Sequence, residues 1–591
     1  MSQPEEILTH HALLVAWGQY GQATGLVRAL EAVPLSQKCV LHRPQTKVIE
    51  FLVAILGGVE YLKDISLSAH PLDQDLAVAR AWGQLAWADH SGVSRTLHTL
   101  SENEIRQLIQ VTEQFCQPFI DKEVALAIAG GGRVELDGDH SPRRVSETST
   151  TYPGAAYGHM DQDQVGYGYQ AEIVSLGSPT YGRIGLSVIQ RPGNTISCTQ
   201  ALALVEAAER RLGCRPWRRT DRLRQRLQDM QPQREHWQVK AEHAQQLVQK
   251  VEAALEASQC KLQATQRTLQ ELQAAYQQQA KPERPNSQLA KLHHQEPMYQ
   301  KRIVRLSKEL THHQGSLAHW QENLRQWEQA IEQLEIRLER FEADNQANSL
   351  PLQAVFRLDS GFGTAENIAL LIEMGYEVYS KPYSNWLLGW IRRQTVRTNP
   401  WQRVGENAEM VAWPAVKLKD FPYRLDLGIE RFWVGQTSKL TGMLHFGVDP
   451  VTQDLPGWFH YYNARQIIEA ANRESKQVFE VHHLKVRAQG ALQLQEQFTL
   501  FAANFVRFAS LWLAEMCPQV PDGWKESTHP HLKQQVKVGA NTSAYVTWKG
   551  QDCLLRFTFH SVFAGRSLPV RRYWAFQPVL PMMKSCFFSQ I

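Results

Sequence analysis

Two heptad arms constrain this chain more than any other feature. Between Gln233 and Gln279, Ala241, Val248, Leu255, Leu262, Leu269 and Tyr276 recur at heptad spacing, and Ala244, Val251, Ser258, Thr265 and Leu272 fill the second seam position. After a proline-broken stretch from Lys281 to Pro297, the pattern returns. Ile303, Leu310, Leu317, Leu324, Ile331 and Leu338 alternate with Leu306, His313, Trp320, Trp327, Leu334 and Phe341. Bounded by the prolines, the arms are about equal in length, so they suit an antiparallel hairpin roughly 70 Å long that closes on itself. Equal arms favour self-pairing over two separate dimer zippers, and His313 reads as a packed or solvated seam residue, not a ligand. A hairpin brings the chain back to where it left.

At 591 residues the chain is too long for a single core. Its 63 basic and 59 acidic side chains leave a net charge of only +4, so a nucleic-acid partner has to be met by local basic patches. The eight cysteines are scattered, with no Cys-x-x-Cys pair and no tight Cys/His grouping. This argues for a reducing compartment and against a structural zinc. The N-terminal stretch lacks the charge and apolar pattern of a signal peptide, and no apolar run is long enough to span a bilayer. The expectation is a soluble cytoplasmic protein with no membrane association.

Residues 1–128 read as helical throughout, with Leu13, Leu14 and Trp17, and then Val48, Phe51, Leu52 and Ile55, at helical spacing. Ala86 to Leu100, followed by the start signal Ser101-Glu-Asn-Glu104, reads either as a helix-turn-helix turning at Gly92, with Arg95 near its recognition end, or as part of a plain bundle. From Gly130 the texture changes to strands. Val134 and Leu136 share one face, while Glu135, Asp137 and Asp139 share the other, so alternation alone does not choose between the two aspartates. Strands are expected near 165–176 and 182–190. Ser197-Cys-Thr-Gln200 then looks like a capping box for a helix that stops at Gly213.

Beyond the arms, Leu352 to Gly363 reads as a strand that places Val355, Arg357 and Asp359 on one face and turns immediately after Asp359. Thr364 caps a helix ending at Gly375, and Tyr376 to Ser380 reads as the next strand. Residues 390–455 are strand-rich. Their entrance interleaves Arg392, Arg393, Arg397 and Arg403 with Trp386, Trp390 and Trp401, which suits phosphate contact with base stacking and equally suits a strand pair with snorkelling arginines. Gly457 to Lys476, read as one helix, stacks Tyr462, Arg465, Glu469 and Lys476 on a polar stripe, with Ile467 and Ala471 behind it. Leu492 to Leu513 is an apolar-striped helix carrying Phe498, Phe501, Phe505, Phe508 and Trp512 that is expected to pack on the sheet.

The spacing of Tyr462, Arg465, Glu469 and Lys476 resembles the Tyr-Arg-Glu-Lys signature helix of a group of bacterial insertion-sequence transposases of the Asp-Asp-Glu type, and two strand-end aspartates precede it in the order that family has. The resemblance covers residues 129–213 and 351–516, and the hairpin is its main departure. It implies an α/β ribonuclease H-like core, a mixed five-stranded sheet with helices, joined to an all-α N-terminal region, a long antiparallel coiled-coil insertion and a β-rich insertion. The implied organisation is a helical, DNA-binding region at 1–128; core at 129–213, 351–389 and 456–516; hairpin at 214–350; β insertion at 390–455; and an unassigned segment at 517–591. The family's first strand reads apolar residues, Asp, Gly, then a small polar residue. That favours Asp137 as the first carboxylate, with Asp139 as the alternative.

The chemistry implied by the resemblance is DNA cleavage at transposon ends and transfer of the 3′ hydroxyl into target DNA. Asp137, Asp359 and Glu469 would be both the catalytic residues and the ligands of two Mg²⁺ ions, with Mn²⁺ able to substitute. Hard cations favour such carboxylate oxygens, and a metal pair can serve both the attacking and the leaving oxygen. Tyr462, Arg465 and Lys476 would contact DNA, helped by Arg392, Arg393 and Arg397. The partners implied are double-stranded DNA, as terminal inverted repeats and target, and a second copy of the chain or more. The protein would act in the bacterial cytoplasm, on the nucleoid when bound. The alternatives are a DNA-binding protein derived from a transposase but lacking activity, and a metal-dependent nuclease that does not join strands. The hairpin would leave the fold at the start of the strand ending in Asp359, away from the carboxylates, and serve assembly.

Overall fold

Alternating and continuous apolar runs build a sheet around the segment that follows Gly130. The structure, a computed structural model, describes residues 6–39, 41–148, 151–161, 164–279, 284–383, 389, 393, 401–419, 421–516, 532–559 and 565–572. Its strands are β1 (Glu6–Thr9), β2 (Val134–Arg144), β3 (Ala156–Asp161), β4 (Gln164–Ser178), β5 (Gly182–Pro192), β6 (Ala354–Leu358), β7 (Glu377–Ser380), β8 (Gln402–Arg403), β9 (Ala408–Lys417), β10 (Arg424–Val434), β11 (Thr437–Phe446), β12 (Ala544–Lys549), β13 (Asp552–Phe557) and β14 (Ser567–Val570). The chain divides into two compact units, Met1–Trp217 with Asn348–Ile591, and Arg218–Ala347.

In the first unit, β5, β4, β2, β6 and β7 lie side by side in that order. The β5–β4 and β4–β2 pairs are antiparallel, and the β2–β6 and β6–β7 pairs are parallel. The sheet does not stop at β7. β11 pairs antiparallel with β7, and β10, β9 and β8 continue beyond it, so the strand-rich segment inserted after β7 extends the central sheet. The central strand β6 is buried along its whole length, as a parallel strand covered on both faces must be. Thr364 caps the helix Ala365–Glu373 by accepting from the Asn367 N–H, and the chain then turns at Gly375, where φ is +99°. The capping box at Ser197 does not form. Ser197–Thr199 is a 3₁₀ turn, the Ser197 hydroxyl bonds His140 Nδ1 at 3.1 Å, and the helix Ala201–Leu212 begins after it.

The apolar helix Gln489–Met516 joins the N-terminal helices to the sheet. Phe508 stacks on Phe119 at 3.8 Å, Phe505 meets Phe115 at 5.7 Å, and Trp512 meets Tyr20 at 5.1 Å. Each such ring contributes about 1.5–3 kcal/mol through burial, so the N-terminal helices share a core with the sheet. The expectation of an all-helical N-terminal region is corrected by β1, which pairs with β12 and completes a four-stranded sheet of order β1-β12-β13-β14. An unpaired strand edge needs a partner, and the C-terminal segment supplies it. Gly92 is not a turn glycine. It lies in the first turn of the helix His90–His98, where its N–H is taken by Asp89, and the long helix Glu102–Ala129 opens with the capping box of Ser101 and Glu104. Arg95 is exposed on the shorter helix.

The chain leaves this unit after Trp217 and re-enters it at Asn348, whose side chain donates to the Arg215 carbonyl at 3.0 Å, as the Leu352 N–H also does at 3.1 Å. Both points lie at the start of β6, the end away from Asp359.

The second unit is the helical hairpin, Thr220–Gln278 and Gln288–Ala347. With 59 and 60 residues, its arms are about 90 Å long and run straight through Pro232 and Pro297, which the sequence suggested as their limits. Each proline removes one intrahelical hydrogen bond, and the paired partner helix holds the arm together around it. The buried seam contains Ala241, Ala244, Val248, Ser258, Thr265 and Leu269 on one arm and Leu306, Ile331, Leu334 and Phe341 on the other, while His313 is half-buried. Trp237 and Trp320 stack across it at 5.5 Å.

Candidate active site

Parallel pairing of β2 with β6 sets the layout. Asp137 stands opposite Arg357, and Gly138 stands opposite Leu358, so the next residues along the two strands are Asp139 and Asp359. Asp137 is buried, and Arg357 grips it with both prongs, Nε to Oδ1 at 2.7 Å and Nη2 to Oδ2 at 2.9 Å. Glu135 lies 3.2 Å from the same guanidinium. Burial lifts the Asp137 carboxyl above its ordinary range against the pull of Arg357. Both Asp137 oxygens are thus paired with a matched guanidinium fork.

Asp139, the alternative, faces the other acids. It is buried, accepts from Asn472 Nδ2 at 2.7 Å, and has its carboxyl pushed up to about 7 by burial and by the charges of Asp359 and Glu469, with Arg465 opposing. Asp359 caps the short 3₁₀ turn Ser360–Phe362 and accepts the Gly361 N–H at 2.9 Å. Burial raises its carboxyl too, against the pull of Arg465. Glu469 is half-exposed and accepts from Arg465 Nη2 at 2.6 Å. Asp139, Asp359 and Glu469 thus converge around Arg465. The guanidinium is held protonated although burial acts against it, because Tyr462, Asp139, Asp359 and Glu469 together outweigh that cost. Its Nη1 has no hydrogen-bond partner.

The signature segment is two helices, Leu455–Asn463 and Gln466–Gln477, broken at Ala464 and Arg465. The Ile467 and Ile468 N–H groups reach only three residues back, to Ala464 and Arg465. The break turns the face that packs. Ile468 and Asn472 are buried, whereas Ile467, expected at the back, is 48% exposed. Tyr462 is likewise buried and donates its hydroxyl to the Leu358 carbonyl at 3.1 Å, fixing the end of β6 beside Asp359. The Tyr462 and Arg465 side chains are both turned inward onto the carboxylate cluster. Lys476 lies in the last turn of its helix, partly buried, and Arg393 is exposed. Arg392 and Arg397 lie outside the described residues.

No protein-family model matches this chain, and no curated protein matches it.

Two functional candidates were not singled out in the sequence. Lys381, immediately after β7, places Nζ 5.5 Å from the Tyr462 ring and 3.8 Å from Glu430, and burial pulls its ammonium below the usual range. Its signal was its place, directly beyond the third strand of the parallel set. His140, next to Asp139, is driven down to about 4 by burial and so is neutral at ordinary pH, edge-on to Phe362 at 5.0 Å. Among the described residues no helix is long and apolar enough to cross a membrane.

Three carboxyls of different chain segments, two of them buried and raised, face one buried guanidinium. Carboxylate oxygens are hard donors of the kind that Mg²⁺ or Mn²⁺ favours. The buried Asn472 Oδ1 beside them also lacks a protein partner.

Proposed function

We propose that this chain is a DNA transposase of the Asp-Asp-Glu type with a ribonuclease H-like core, whose carboxylates are Asp139, Asp359 and Glu469. The observation that carries the reading is the placing of Asp139, within β2 just past its last pair with β6, level with Asp359 at the end of β6, with Glu469 brought to them by the helix Gln466–Gln477. The strand order β5-β4-β2-β6-β7, antiparallel on one side of β2 and parallel on the other, supports the core assignment.

Asp139, Asp359 and Glu469 would hold Mg²⁺, which when bound supplies the means to activate the attacking oxygen and to neutralise the leaving one. The chain's own residues do the positioning. Asn472 fixes the Asp139 carboxylate, the Gly361 N–H fixes Asp359, and Arg465 draws Glu469 toward both. Arg357 keeps Asp137 out of the cluster. Lys381 and Arg465 provide positive charge beside the acids for a phosphate group of the DNA. Two cut ends require two such sites, hence at least a dimer on DNA.

The test is a Mg²⁺-dependent cleavage and strand-transfer assay on DNA carrying the ends that flank the gene, comparing wild type with Glu469→Gln. Loss of cleavage and joining with DNA binding retained supports the reading. Equal activity in both overturns the role of Glu469, and cleavage without joining in wild type identifies a nuclease.

A further inference from the structure

We propose that Glu480, His482, His483 and Glu60 form a tetrahedral zinc site that clips the turn after the Glu469 helix to the loop after the helix Pro44–Leu56. The site lies in a different loop pair from the carboxylate cluster. Ligand atoms of Glu480, His482 and His483 all lie within 4.8 Å of one another. His482 Nε2 is 3.8 Å from Glu480 Oε2, and His483 Nε2 is 3.3 Å from Glu60 Oε1. Four donors about 2.0–2.1 Å from a tetrahedral zinc ion stand about 3.3 Å from one another, so the Glu480, His482 and His483 donors have to draw together to close on one, and Glu60, placed beside His483 alone, has to swing in as the fourth. Two imidazoles with two carboxylates is a donor set that suits Zn²⁺ better than Mg²⁺.

The surroundings hold the donors in place. Glu480 adopts φ +53°, in the left-handed region that non-glycine residues rarely enter. Lys537 takes Glu480 Oε1 at 2.6 Å, leaving Oε2 facing His482, and the same ammonium donates to the Gly58 carbonyl at 3.3 Å. Lys485 donates to the Glu480 carbonyl at 3.1 Å. Gly58, at φ +66°, lets its loop come so near that a Cβ there would meet the Val478 carbonyl oxygen at 2.7 Å. The two loops are thus fixed against each other independently of a metal. The His483 ring rests edge-on against Tyr61 at 4.8 Å. Such outer contacts orient metal-binding side chains.

The sequence pattern Glu-x-His-His at 480–483 carried part of this signal, but Glu60 is far away in the chain and no cysteine takes part. A zinc reading based on cysteine spacing passes over it.

The experiment uses the full chain in the Glu469→Gln background, so that metal at the carboxylate cluster does not mask the result. After chelation and dialysis it is titrated with Co²⁺, read by the visible bands of tetrahedral cobalt, and then with Zn²⁺ in competition. The expected result is one site per chain, with affinity falling roughly tenfold or more in His482→Ala, His483→Ala and Glu60→Gln, as loss of a ligand or its orientation does. Zn²⁺ should also raise the Tm of the parent and not of His482→Ala. Glu60 and His482 are partly exposed, so these two variants are expected to fold, and circular dichroism checks it. Absence of tetrahedral bands, or equal zinc affinity in parent and variants, overturns the site and leaves an ion-pair cluster only.

Discussion

Asp137 and Asp139 sit two residues apart on one face of one strand, yet they live in opposite electrostatic settings. Asp137 is closed off by the two-pronged Arg357, a pairing that satisfies both partners. Asp139 is grouped with Asp359 and Glu469 around one guanidinium, and its carboxyl is pushed up to about 7. The lesson is that a carboxylate's role is decided by what stands opposite it on the neighbouring strand. The register of β2 on β6 puts an arginine across from Asp137 and another aspartate level with Asp139. One layer is built to stay shut, and the other concentrates negative charge that a cation can relieve.

The contrast is broken most directly by neutralising each aspartate. Asp139→Asn is expected to lower Mg²⁺-dependent cleavage by roughly a thousandfold with folding intact, because it removes a ligand. Asp137→Asn should act through stability, seen as a lowered Tm with specific activity of the folded fraction largely kept. Equal loss of activity in both, at equal folded fraction, would erase the distinction.

Arg357→Met attacks the closed layer from its other side. It leaves Asp137 buried without its partner, and chemical denaturation is expected to show a loss of about 3–5 kcal/mol. A loss below about 1 kcal/mol would mean the pair contributes little.

The open layer has its own signature in pH. Because the folded Asp139 carboxyl titrates near 7 and an unfolded aspartate near 4, the folded state binds the extra proton between these values. Stability without metal therefore falls as pH rises through that window and levels off above it. From pH 5 to pH 8 the loss attributable to Asp139 is roughly 2–3 kcal/mol. Asp359, also raised, acts in the same direction. Denaturation in a chelator at both pH values should show this slope in wild type and a shallower one in Asp139→Asn.

The smallest effect belongs to Tyr462. Tyr462→Phe removes one buried hydrogen bond to Leu358, so about 1 kcal/mol of stability should be lost. DNA affinity measured by mobility shift should stay within about twofold, since a buried hydroxyl does not reach the nucleic acid. A larger loss of affinity would restore this side chain to the interface.

Much of the fold was legible because periodicity is a local property. The heptads announced the hairpin, alternation announced β2, β4 and β5, and Thr364 with Gly375 marked both ends of a helix. What escaped depended on distant partners. A four-residue strand such as β1 carries too little pattern to be seen without β12. The prolines at 232 and 297 looked like boundaries because the support of the opposite arm is invisible along one helix. At the candidate site, alternation put Asp137 and Asp139 on one face, but which of them faces Arg357 and which faces Asp359 needed the register against β6. The helix break at Arg465 likewise depended on how Tyr462 and Ile468 pack. Lys381 has no motif at all and becomes visible only when Tyr462 and Glu430 come near it.

The most direct test of the central claim is Mn²⁺ binding, measured by calorimetry on the folded, metal-free chain and on its Asp139→Asn and Asp137→Asn variants at low temperature. The account predicts that Asp139→Asn weakens binding by roughly tenfold or more while Asp137→Asn stays within about threefold of wild type. Strong loss in Asp137→Asn with binding intact in Asp139→Asn would contradict it.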